Sequence, residues 1–392
     1  MKFSGLTVVV PREIMTGERR VAATPQTVEQ CVKSGAKVLV ETGAGDKAFF
    51  HDEDYTRAGA EILSTAEEIY QNADIVLKVK EPQFNEELGK HEIDLMPENG
   101  ILISFLHPAN PANHKMVKKL ADKGITSFTL DSIPRISRAQ NLDTLTSMST
   151  VAGYKSVISA AYNLSRFVPM MPTSAGVLQP AQFLVVGVGV AGLQAIATAK
   201  RLGAKVKALD IRPEANEQVR SLGAESIPFD LPEGLGVGEG GYARRLPDEW
   251  YEKEREILAP HIKESDAVIL AALIPGEEAP VLVTKSMVED MNKGSVIVDI
   301  SIDQGGNCEL TSRGEEFDYD GIFISGLLNI PAYLPVDSSR MFAQNTFNYL
   351  SYLIEDGQLK FDLEDEVIRE SLVTKDNKIV HEGTLKAIEE HK

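Results

Sequence analysis

The sequence predicts an α/β protein with two domains, in which short apolar strands alternate with helices. The chain has 392 residues, which is long for a single domain, and 43% of them are hydrophobic, which is ample for two cores. Strand and helix patterns alternate from Leu6 to about Leu130. A second series of strands begins at Phe183 and opens with a glycine-rich turn.

The first series of elements predicts a βα-alternating domain over residues 1–146. Its clearest strands are Leu6–Val10, Lys37–Val40, Ile75–Val79, Ile101–Ser104 and Thr126–Leu130. The helical stretches between them include Thr24–Ser34, Thr65–Asn72 and Ala112–Asp122. The next stretch, Ser147–Arg166, has helical spacing and is long enough to bridge two domains. A loop is expected after it, because prolines follow at Pro169, Pro172 and Pro180.

Six candidate strands come next, which is the number that a doubly wound dinucleotide domain uses. They are 183–186, 206–209, 225–227, 267–270, 295–298 and 322–324. We therefore predict that the second domain spans 147–325. The tail, 326–392, contains an amphipathic helical pattern at Ser338–Ile354 and should return to complete the first domain. The expected architecture is two Rossmann-like βαβ domains with a cleft between them and a discontinuous N-terminal domain.

The turn after the first strand of the second domain has the GxGxxG spacing, over Gly187–Gly192. In a dinucleotide site the first glycine permits a sharp turn, the second lets the backbone approach a pyrophosphate, and the third allows close helix packing. The helix N-terminus then directs N–H groups and partial positive charge at the phosphates. The motif follows a strand, opens a helix and precedes a second strand ending in Asp, so a purely structural turn is the weaker interpretation. The candidate cofactor-binding residues are Gly187, Gly189, Val190, Gly192, Asp210 and Arg212.

Asp210 predicts which dinucleotide is bound. A carboxylate at the end of the second strand can accept hydrogen bonds from the adenine-ribose hydroxyls and would repel a 2′-phosphate, which favours NAD(H) over NADP(H). Arg212 lies two residues further on and is the opposing feature, because an arginine there can accept the phosphate.

Composition excludes several classes of partner. The formal net charge of −18 argues against nucleic acid and against an anionic membrane surface. Two distant cysteines, Cys31 and Cys308, indicate a reducing compartment without disulfides. The seven histidines have no metal-ligand spacing, so no metal is expected. The N-terminus reads as a strand, and no run of about 18 apolar residues occurs, so we expect a cytoplasmic protein, at most peripheral on the cytoplasmic face of the inner membrane.

The segment Phe229–Pro247 is too long and too rich in glycine for an ordinary connection. Composition leaves two interpretations equally open: a disordered surface insertion, or a mobile lid in which Tyr242 closes on a ligand.

Cationic and acid–base residues lie at the predicted strand ends and turns, where α/β folds place their sites. They are Arg19, Arg20, Lys78, Lys80, His107 and Asp303. Two cations could hold a substrate carboxylate, and a histidine suits proton transfer. Taken singly, each has a simpler explanation as a solvated side chain, a loop residue or a turn former.

At these residues the chain resembles the alanine dehydrogenase and transhydrogenase α-subunit family over nearly its whole length. Within the family it looks most like the soluble NAD(H)-binding component of proton-translocating NAD(P) transhydrogenases. The motifs that support the resemblance are PRISRAQ (Pro134–Gln140), GVGVAGLQAIATAKRLGA (Gly187–Ala204), GGYA (Gly240–Ala243), ALIPG (Ala272–Gly276) and GGNCE (Gly305–Glu309). The first and third of these are the ones that distinguish transhydrogenases from alanine dehydrogenases.

The resemblance implies roles for residues that composition could not interpret. The segment Arg135–Thr146 would approach the nicotinamide, with Arg135, Gln140 and Asp143 as the catalytic positions. Tyr242 would close over the bound nucleotide. Thr146 would contact the cofactor, and it stands where the family usually has Ser, which keeps the hydroxyl.

One departure from the family pattern opens an alternative. The four substrate-binding types of alanine dehydrogenases are all present, at Arg20, Lys80, His107 and Asp303, whereas transhydrogenase α-subunits generally lack the full set. The main hypothesis is therefore an NAD(H)-binding transhydrogenase subunit that passes hydride from NADH to NADP⁺. The alternative is an NAD-dependent amino-acid dehydrogenase that reductively aminates a small 2-oxo acid. A non-catalytic NADH sensor is a third hypothesis, supported by fold analogy alone.

The main hypothesis implies partners. The chain has one dinucleotide fingerprint and no predicted membrane span, so the NADP(H) site and the proton path would lie on other subunits. The resemblance also implies a homodimer.

Overall fold

The polypeptide forms two α/β units in the computed structural model, which describes residues 1–232, 234–238, 243–274 and 277–391. The first unit comprises Met1–Met148 and Ala332–Lys392, and the second comprises Ser149–Pro331. The predicted fold class is confirmed, including the discontinuity of the N-terminal domain.

The strands and helices are short, and many have a recognisable end signal. In order, the strands are β1 (Thr7–Val10), β2 (Lys37–Glu41), β3 (Glu61–Leu63), β4 (Ile75–Leu77), β5 (Phe84–Asn85), β6 (Lys90–His91), β7 (Ile101–Ser104), β8 (Thr126–Thr129), β9 (Met171–Thr173), β10 (Gly176–Leu178), β11 (Gln182–Val186), β12 (Lys205–Leu209), β13 (Glu225–Ser226), β14 (Ala267–Leu270), β15 (Val296–Asp299), β16 (Glu316–Tyr319), β17 (Ile322–Ser325), β18 (Ile354–Glu355), β19 (Gln358–Leu359), β20 (Leu372–Lys375) and β21 (Lys378–Ile379). The helices are α1 (Pro25–Lys33), α2 (Asp52–Arg57), α3 (Ala66–Gln71), α4 (Glu92–Leu95), α5 (His114–Asp122), α6 (Thr144–Asn163), α7 (Val190–Arg201), α8 (Pro213–Ser221), α9 (Asp248–Glu264), α10 (Lys285–Glu289), α11 (Pro335–Leu353), α12 (Glu366–Ser371) and α13 (Glu382–Glu390). Thr65 and Thr284, for example, cap α3 and α10 with their hydroxyl oxygens.

The first unit is built on an eight-stranded sheet in the order β21-β20-β8-β7-β4-β1-β2-β3. The six strands from the N-terminal segment are parallel. The tail adds β20, which runs antiparallel to β8, and β21, which pairs with β20. Side-chain contacts reinforce this junction, because the hydroxyls of Ser127 and Thr374 are 2.6 Å apart and Thr374 also donates to the Ile125 carbonyl.

The second unit contains a seven-stranded sheet in the order β13-β12-β11-β14-β15-β17-β16. The first six strands are parallel, in the 3-2-1-4-5-6 order of a doubly wound dinucleotide domain, and β16 is antiparallel at the edge.

Both faces of this second sheet are buried, which explains why its strands are continuous apolar runs. Alternate residues of β11 face opposite sides, so Phe183 and Val185 pack in one cluster while Leu184 and Val186 pack in the other. Helices α6, α7 and α8 contribute to the first cluster, and α9 contributes to the second. The carboxyl ends of β11 and β12 are thereby fixed between two cores.

Three of the differences from the prediction have a clear local cause. The proline-containing stretch predicted as a loop forms the β9–β10 hairpin, because Pro172 lies in a two-stranded ribbon where a missing N–H is tolerated. The edge strand β16 was not predicted, since EFDY is mainly polar. The bridging helix begins at Thr144 rather than Ser147, because Asp143 caps it. Across the described residues, no helix combines the length and apolar character needed to span a bilayer.

Helix α6 approaches α7 so closely that a glycine is required. A Cβ on Gly153 would lie 2.0 Å from the carbonyl oxygen of Ala191, at the first turn of α7. The backbone of α7 cannot give way easily because Gly192 packs equally tightly on the other side, with its Cβ position 2.0 Å from the Gly187 oxygen.

We therefore expect Gly153→Ala to lower the free energy of unfolding by about 1–3 kcal/mol, the usual cost of overpacking. Chemical denaturation followed by circular dichroism measures the change. Gly189→Ala is the matched control, because a Cβ there meets no atom within 4 Å. Equal effects of the two substitutions would contradict the steric explanation.

Candidate functional site

The glycine-rich turn lies at the carboxyl edge of the second sheet, directly after β11. Gly187 has a φ of +86°, and its Cβ position is 2.5 Å from the backbone nitrogen of Ala272 in the segment after β14. Only glycine fits there, because the conformation is left-handed and the neighbouring backbone is in contact. The turn is therefore held against the segment that follows β14.

The N-terminus of α7 provides an open cradle beside this turn. Gly189 is the N-cap residue, and no side chain caps the helix there. A Cβ at Gly189 would meet nothing within 4 Å, unlike those at Gly187 and Gly192. Helical N–H groups and a partial positive charge next to unfilled space fit the pyrophosphate of a dinucleotide. Val190 is the first residue of the helix.

Asp210 holds this turn from the neighbouring strand. Its carboxylate accepts a hydrogen bond of 2.6 Å from the Val188 N–H and another of 2.8 Å from the Arg212 N–H. The Arg212 guanidinium binds both carboxylate oxygens, with Nε and Nη2 each at 2.9 Å, and Nη2 also donates to the Val188 carbonyl. All the lone-pair positions of the Asp210 carboxylate are thus used within the protein.

This pairing alters the expected roles of Asp210 and Arg212 in selecting the dinucleotide. The hydrogen bond and the charge of Asp210 raise the pKa of Arg212 above its ordinary value, so the guanidinium stays charged. Asp210 and Arg212 together carry no net charge. In this arrangement the expected ribose acceptor and the expected phosphate acceptor neutralise each other.

A buried amide supports the segment after β14. The Asn307 amide nitrogen donates to the carbonyls of Ala272 and Pro280, and its oxygen accepts from the Ala272 N–H. Asp299, at the end of β15, in turn accepts from the backbone of Asn307 at 2.8 Å. Asn307 belongs to the GGNCE motif, which therefore supports the fingerprint turn through Ala272. Pro275 and Gly276, the end of the ALIPG motif, lie outside the described residues.

Sequence reasoning missed Glu254, an acidic residue buried close enough to interact with Asp210. It lies on α9 between Tyr251 and Leu258, at helical spacing on the buried face, and only 2% of it is exposed. Among the described residues its Oε2 has no hydrogen-bond partner. Burial, and then the charge of Asp210, raise the pKa of Glu254 to about 8, while Arg255 opposes the shift. An acidic residue within an apolar helical stripe was the signal that could have found it.

The PRISRAQ segment forms a short 3₁₀ helix, Ser137–Leu142, before α6. Arg135 and Gln140 are exposed. Asp143 is buried and caps α6, since its carboxylate accepts from the Thr146 N–H at 2.8 Å and from the Thr146 hydroxyl at 2.6 Å. Asp143 and Thr146 are thus brought together by a local capping interaction.

The returning helix α11 anchors this segment within the first unit. Asn345 and Asn348 both donate to the Asn141 carbonyl, at 2.9 and 3.0 Å. The Ser147 hydroxyl donates to the Asn345 side chain, and Arg138 pairs with Asp365 at 3.1 Å. The tail therefore fixes the position of the segment that carries Gln140.

His107 and Lys80 interact electrostatically, also within the first unit. His107 has a φ of +44°, and its Nδ1 is 3.4 Å from the Asp131 carboxylate, which also accepts the His107 N–H. Burial is the largest single influence and lowers the pKa of His107, as does Lys80. The charge and hydrogen bond of Asp131, together with the charge of Glu81, outweigh them, so the pKa is raised overall. The Asp131 carboxylate thus orients the imidazole of His107.

Arg20 is paired with a carboxylate of the chain. It is 3% exposed and binds both oxygens of the fully buried Glu18, at 2.8 Å through Nε and 2.6 Å through Nη2. Nearby, Lys78 lies 3.4 Å from Glu13 and 2.8 Å from Glu92, and none of these three side chains is more than 4% exposed. Burial raises the pKa of Glu13 to about 7 against the opposing effect of Lys78.

A cavity of about 490 Å³ adjoins Arg20. Its lining includes Glu13, Glu18, Asp46 and Lys47 but neither Lys80 nor His107. Asp303 belongs to the second unit and is exposed on the 3₁₀ helix Ile300–Gln304. Within the first unit, an electrostatic interaction brings Lys80 and His107 of the dehydrogenase set together.

Two further predictions concern Tyr242 and a metal site. Tyr242, with most of the GGYA motif, lies outside the described residues. In the described part of the chain, no cluster of three or more histidine, cysteine or acidic side chains has metal-binding geometry.

Comparison with known proteins matches both units to one family. Residues 9–152 match the family described as alanine dehydrogenase/PNT, N-terminal domain, and residues 156–382 match its C-terminal domain. The chain is 43% identical over 380 residues to a Rhodospirillum rubrum protein named as the first portion of NAD(P) transhydrogenase subunit alpha. That match covers 96% of this chain and 98% of the relative.

Solved structures give the same picture. The crystal structure of transhydrogenase from Sinorhizobium meliloti has a TM-score of 0.83 and 36% identity, and the match covers 95% of this chain and all of that one. An L-alanine dehydrogenase structure has a TM-score of 0.81 and 29% identity, covering 99% of this chain and all of that one.

The carboxylate beside His107 should determine the proton affinity of the imidazole. We expect Asp131→Asn to lower the pKa of His107 below the ordinary value of 6.5, because burial then acts without the compensating charge. NMR titration of the histidine ring protons measures the shift. Glu81→Gln is the control and should lower the pKa less, since Glu81 is the weaker of the two acidic influences. An unchanged His107 titration in Asp131→Asn would rule out the pairing.

Proposed function

The chain belongs to the alanine dehydrogenase/PNT family, and from this premise we propose that it is the NAD(H)-binding subunit of an NAD(P) transhydrogenase. As an oxidoreductase subunit it binds NADH and passes hydride to NADP⁺ bound on a partner subunit. Membrane-spanning subunits couple this transfer to proton translocation. The chain itself is cytoplasmic, peripheral on the cytoplasmic face of the inner membrane.

One observation carries the proposal: the open cradle at Gly189, between two glycines that are sterically required. It fits a dinucleotide pyrophosphate. The proposal is also supported by a relative named as a transhydrogenase subunit, which is 43% identical over 96% of this chain. The anchoring of the PRISRAQ segment further supports the proposal. An ion pair between Arg138 and Asp365 and the hydrogen bonds from two asparagines of α11 hold the segment in place.

The side chains act by binding and orienting, since little bond-making by the protein is required. NADH, when bound, supplies the hydride. The N–H groups at the start of α7, from Val190 on, hold the pyrophosphate. Arg135, Gln140 and Asp143 orient the dihydronicotinamide end. Asp143 is held for this by its hydrogen bonds to Thr146. Tyr242 closes over the nucleotide and excludes water.

The active form is a homodimer. Large apolar side chains on and before the β9–β10 hairpin support this, because Phe167, Met170 and Val177 are each more than half exposed. Exposed large apolar side chains are typical of an interface when they cluster. Sedimentation equilibrium of the purified chain measures the association directly.

The alternative is an NAD-dependent amino-acid dehydrogenase that reductively aminates a small 2-oxo acid. The oriented imidazole of His107, next to Lys80, favours this alternative. The imidazole could transfer a proton, and the lysine could bind the substrate carbonyl. The ion pair between Arg20 and Glu18 counts against it, because a substrate carboxylate would have to displace a buried carboxylate. Asp303 would assist the imine step.

Gln140 provides the sharper test of the transhydrogenase role, because its side chain is exposed and can be removed without disturbing the core. We expect Gln140→Ala to slow reduction of NADP⁺, or of an NADP⁺ analogue, by about 10- to 100-fold, the usual cost of misplaced reactants. NADH affinity should change far less. The assay combines the chain with its membrane and NADP(H)-binding subunits. Its neighbour Asn141, also exposed, gives the control variant Asn141→Ala. No NADH-dependent reduction by the complete wild-type assembly would refute the proposal.

His107 separates the two functions. The purified chain is incubated with NADH, ammonium and a panel of 2-oxo acids, and NADH oxidation is followed by absorbance. The transhydrogenase proposal predicts no turnover, with NADH binding confirmed in the same sample. Turnover that is lost in His107→Ala would establish the dehydrogenase instead.

A further inference from the structure

Glu254 is a buried acidic group close to the dinucleotide fingerprint. It lies within α9 and faces the sheet, together with the apolar Leu258 and Ile262, which pack on Leu184, Val186 and Leu209. The ends of β11 and β12 carry the fingerprint turn and Asp210. Glu254 is 2% exposed, and in the described part of the chain its Oε2 finds no donor. A buried carboxyl oxygen without a hydrogen-bond partner is costly and calls for an explanation.

In the described part of the chain, Asp210 and Arg255 are the charged groups that act on this carboxyl. From the strand side the acidic neighbour is Asp210, and from its own helix the neighbours are Arg255 and the Tyr251 hydroxyl. Arg255 is engaged elsewhere, with Glu252 and the Val281 carbonyl. Arg212 forms a bidentate pair with Asp210. When Glu254 ionises, it therefore adds negative charge beside Asp210 that no ion pair between described residues neutralises.

This arrangement bears on how the site distinguishes its ligands. The acidic residue at the end of the second fingerprint strand lies where the adenine ribose binds. Here that residue is neutralised by Arg212, and an arginine at this position can turn to a 2′-phosphate instead. The pair alone is a poor barrier to NADP(H), so the selectivity must have a second source.

We propose that Glu254 is a second acidic determinant of dinucleotide choice, which adds negative charge beneath the adenine-ribose end of the site and disfavours a 2′-phosphate. The inference rests on the proposed NAD(H)-binding function. A ribose 2′-hydroxyl is uncharged and does not meet this repulsion. A 2′-phosphate carries about two negative charges and does.

The proposal has a defined pH dependence. The pKa of Glu254 is raised to about 8, so the carboxyl is largely neutral at pH 7 and largely ionised at pH 9. The discrimination against NADP(H) should therefore increase as the pH rises through this window. The ligand does not contribute to the change, because a phosphate monoester with a second pKa of about 6 is already dianionic at pH 7.

The experiment measures dissociation constants of NADH and NADPH by fluorescence titration between pH 7 and pH 9. For the wild-type chain we expect the ratio of the NADPH constant to the NADH constant to rise roughly fivefold over this range, for one unit of coupling between proton and ligand. For Glu254→Gln we expect a ratio that is flat with pH and, at pH 9, roughly fivefold below that of the wild type. Glu256→Gln, an exposed change two residues away on the same helix, should behave as the wild type.

The experiment distinguishes failure of this inference from failure of the NAD(H)-binding proposal. A wild-type ratio that stays constant from pH 7 to pH 9, or a rise that persists in Glu254→Gln, overturns this inference and leaves the NAD(H)-binding role intact. Failure of the wild-type chain to bind NADH overturns both. Thermal unfolding checks that each variant is folded. If Glu254→Gln does not fold, Glu254→Met offers the same comparison, since it keeps the length of the side chain and removes the charge.

Discussion

The close approach of backbone to backbone around the first turn of α7 is the constraint on which the dinucleotide domain depends. A Cβ would be 2.5 Å from neighbouring backbone at Gly187 and 2.0 Å at both Gly192 and Gly153. These contacts fix the helix against β11, against the segment after β14 and against α6. Because the helix cannot shift, its N–H groups keep one direction relative to the sheet edge. The open space at Gly189 then has a defined chemical character rather than being a gap between mobile parts.

Buried charged side chains occur in two kinds of surroundings in this acidic chain. Deep inside the first unit, Glu13, Lys78 and Glu92 are buried together, and Arg20 is matched by Glu18. Pairing of this kind is what makes buried ions tolerable. Glu254 is the exception near the fingerprint, because its Oε2 has no hydrogen-bond partner among the described residues and Arg255 pairs with Glu252. Sites of function are where such local rules are broken.

Much of the fold could be predicted because apolar strands and glycine punctuation are local signals. The strand Ile101–Ser104 was predicted with the observed limits, and the GxGxxG turn indicated both the strand before it and the helix after it. Pairing of β20 with β8 could not be read from LVTK, because it depends on residues about 250 positions away. The lock between Asp210 and Arg212 also escaped prediction, since spacing does not reveal whether neighbouring charges face each other. The hairpin β9–β10 is largely exposed and carries no buried alternation to mark it.

The returning tail has a consequence for how the chain is made. The first sheet contains β20, and the PRISRAQ segment is anchored by α11, so neither is complete until the C-terminal segment has been synthesised. On the ribosome, the second unit has all of its own strands available earlier, and domains generally fold as units. The six N-terminal strands of the first sheet therefore have β8 as an open edge until β20 has been made. Such an edge can pair with a strand of another chain during synthesis.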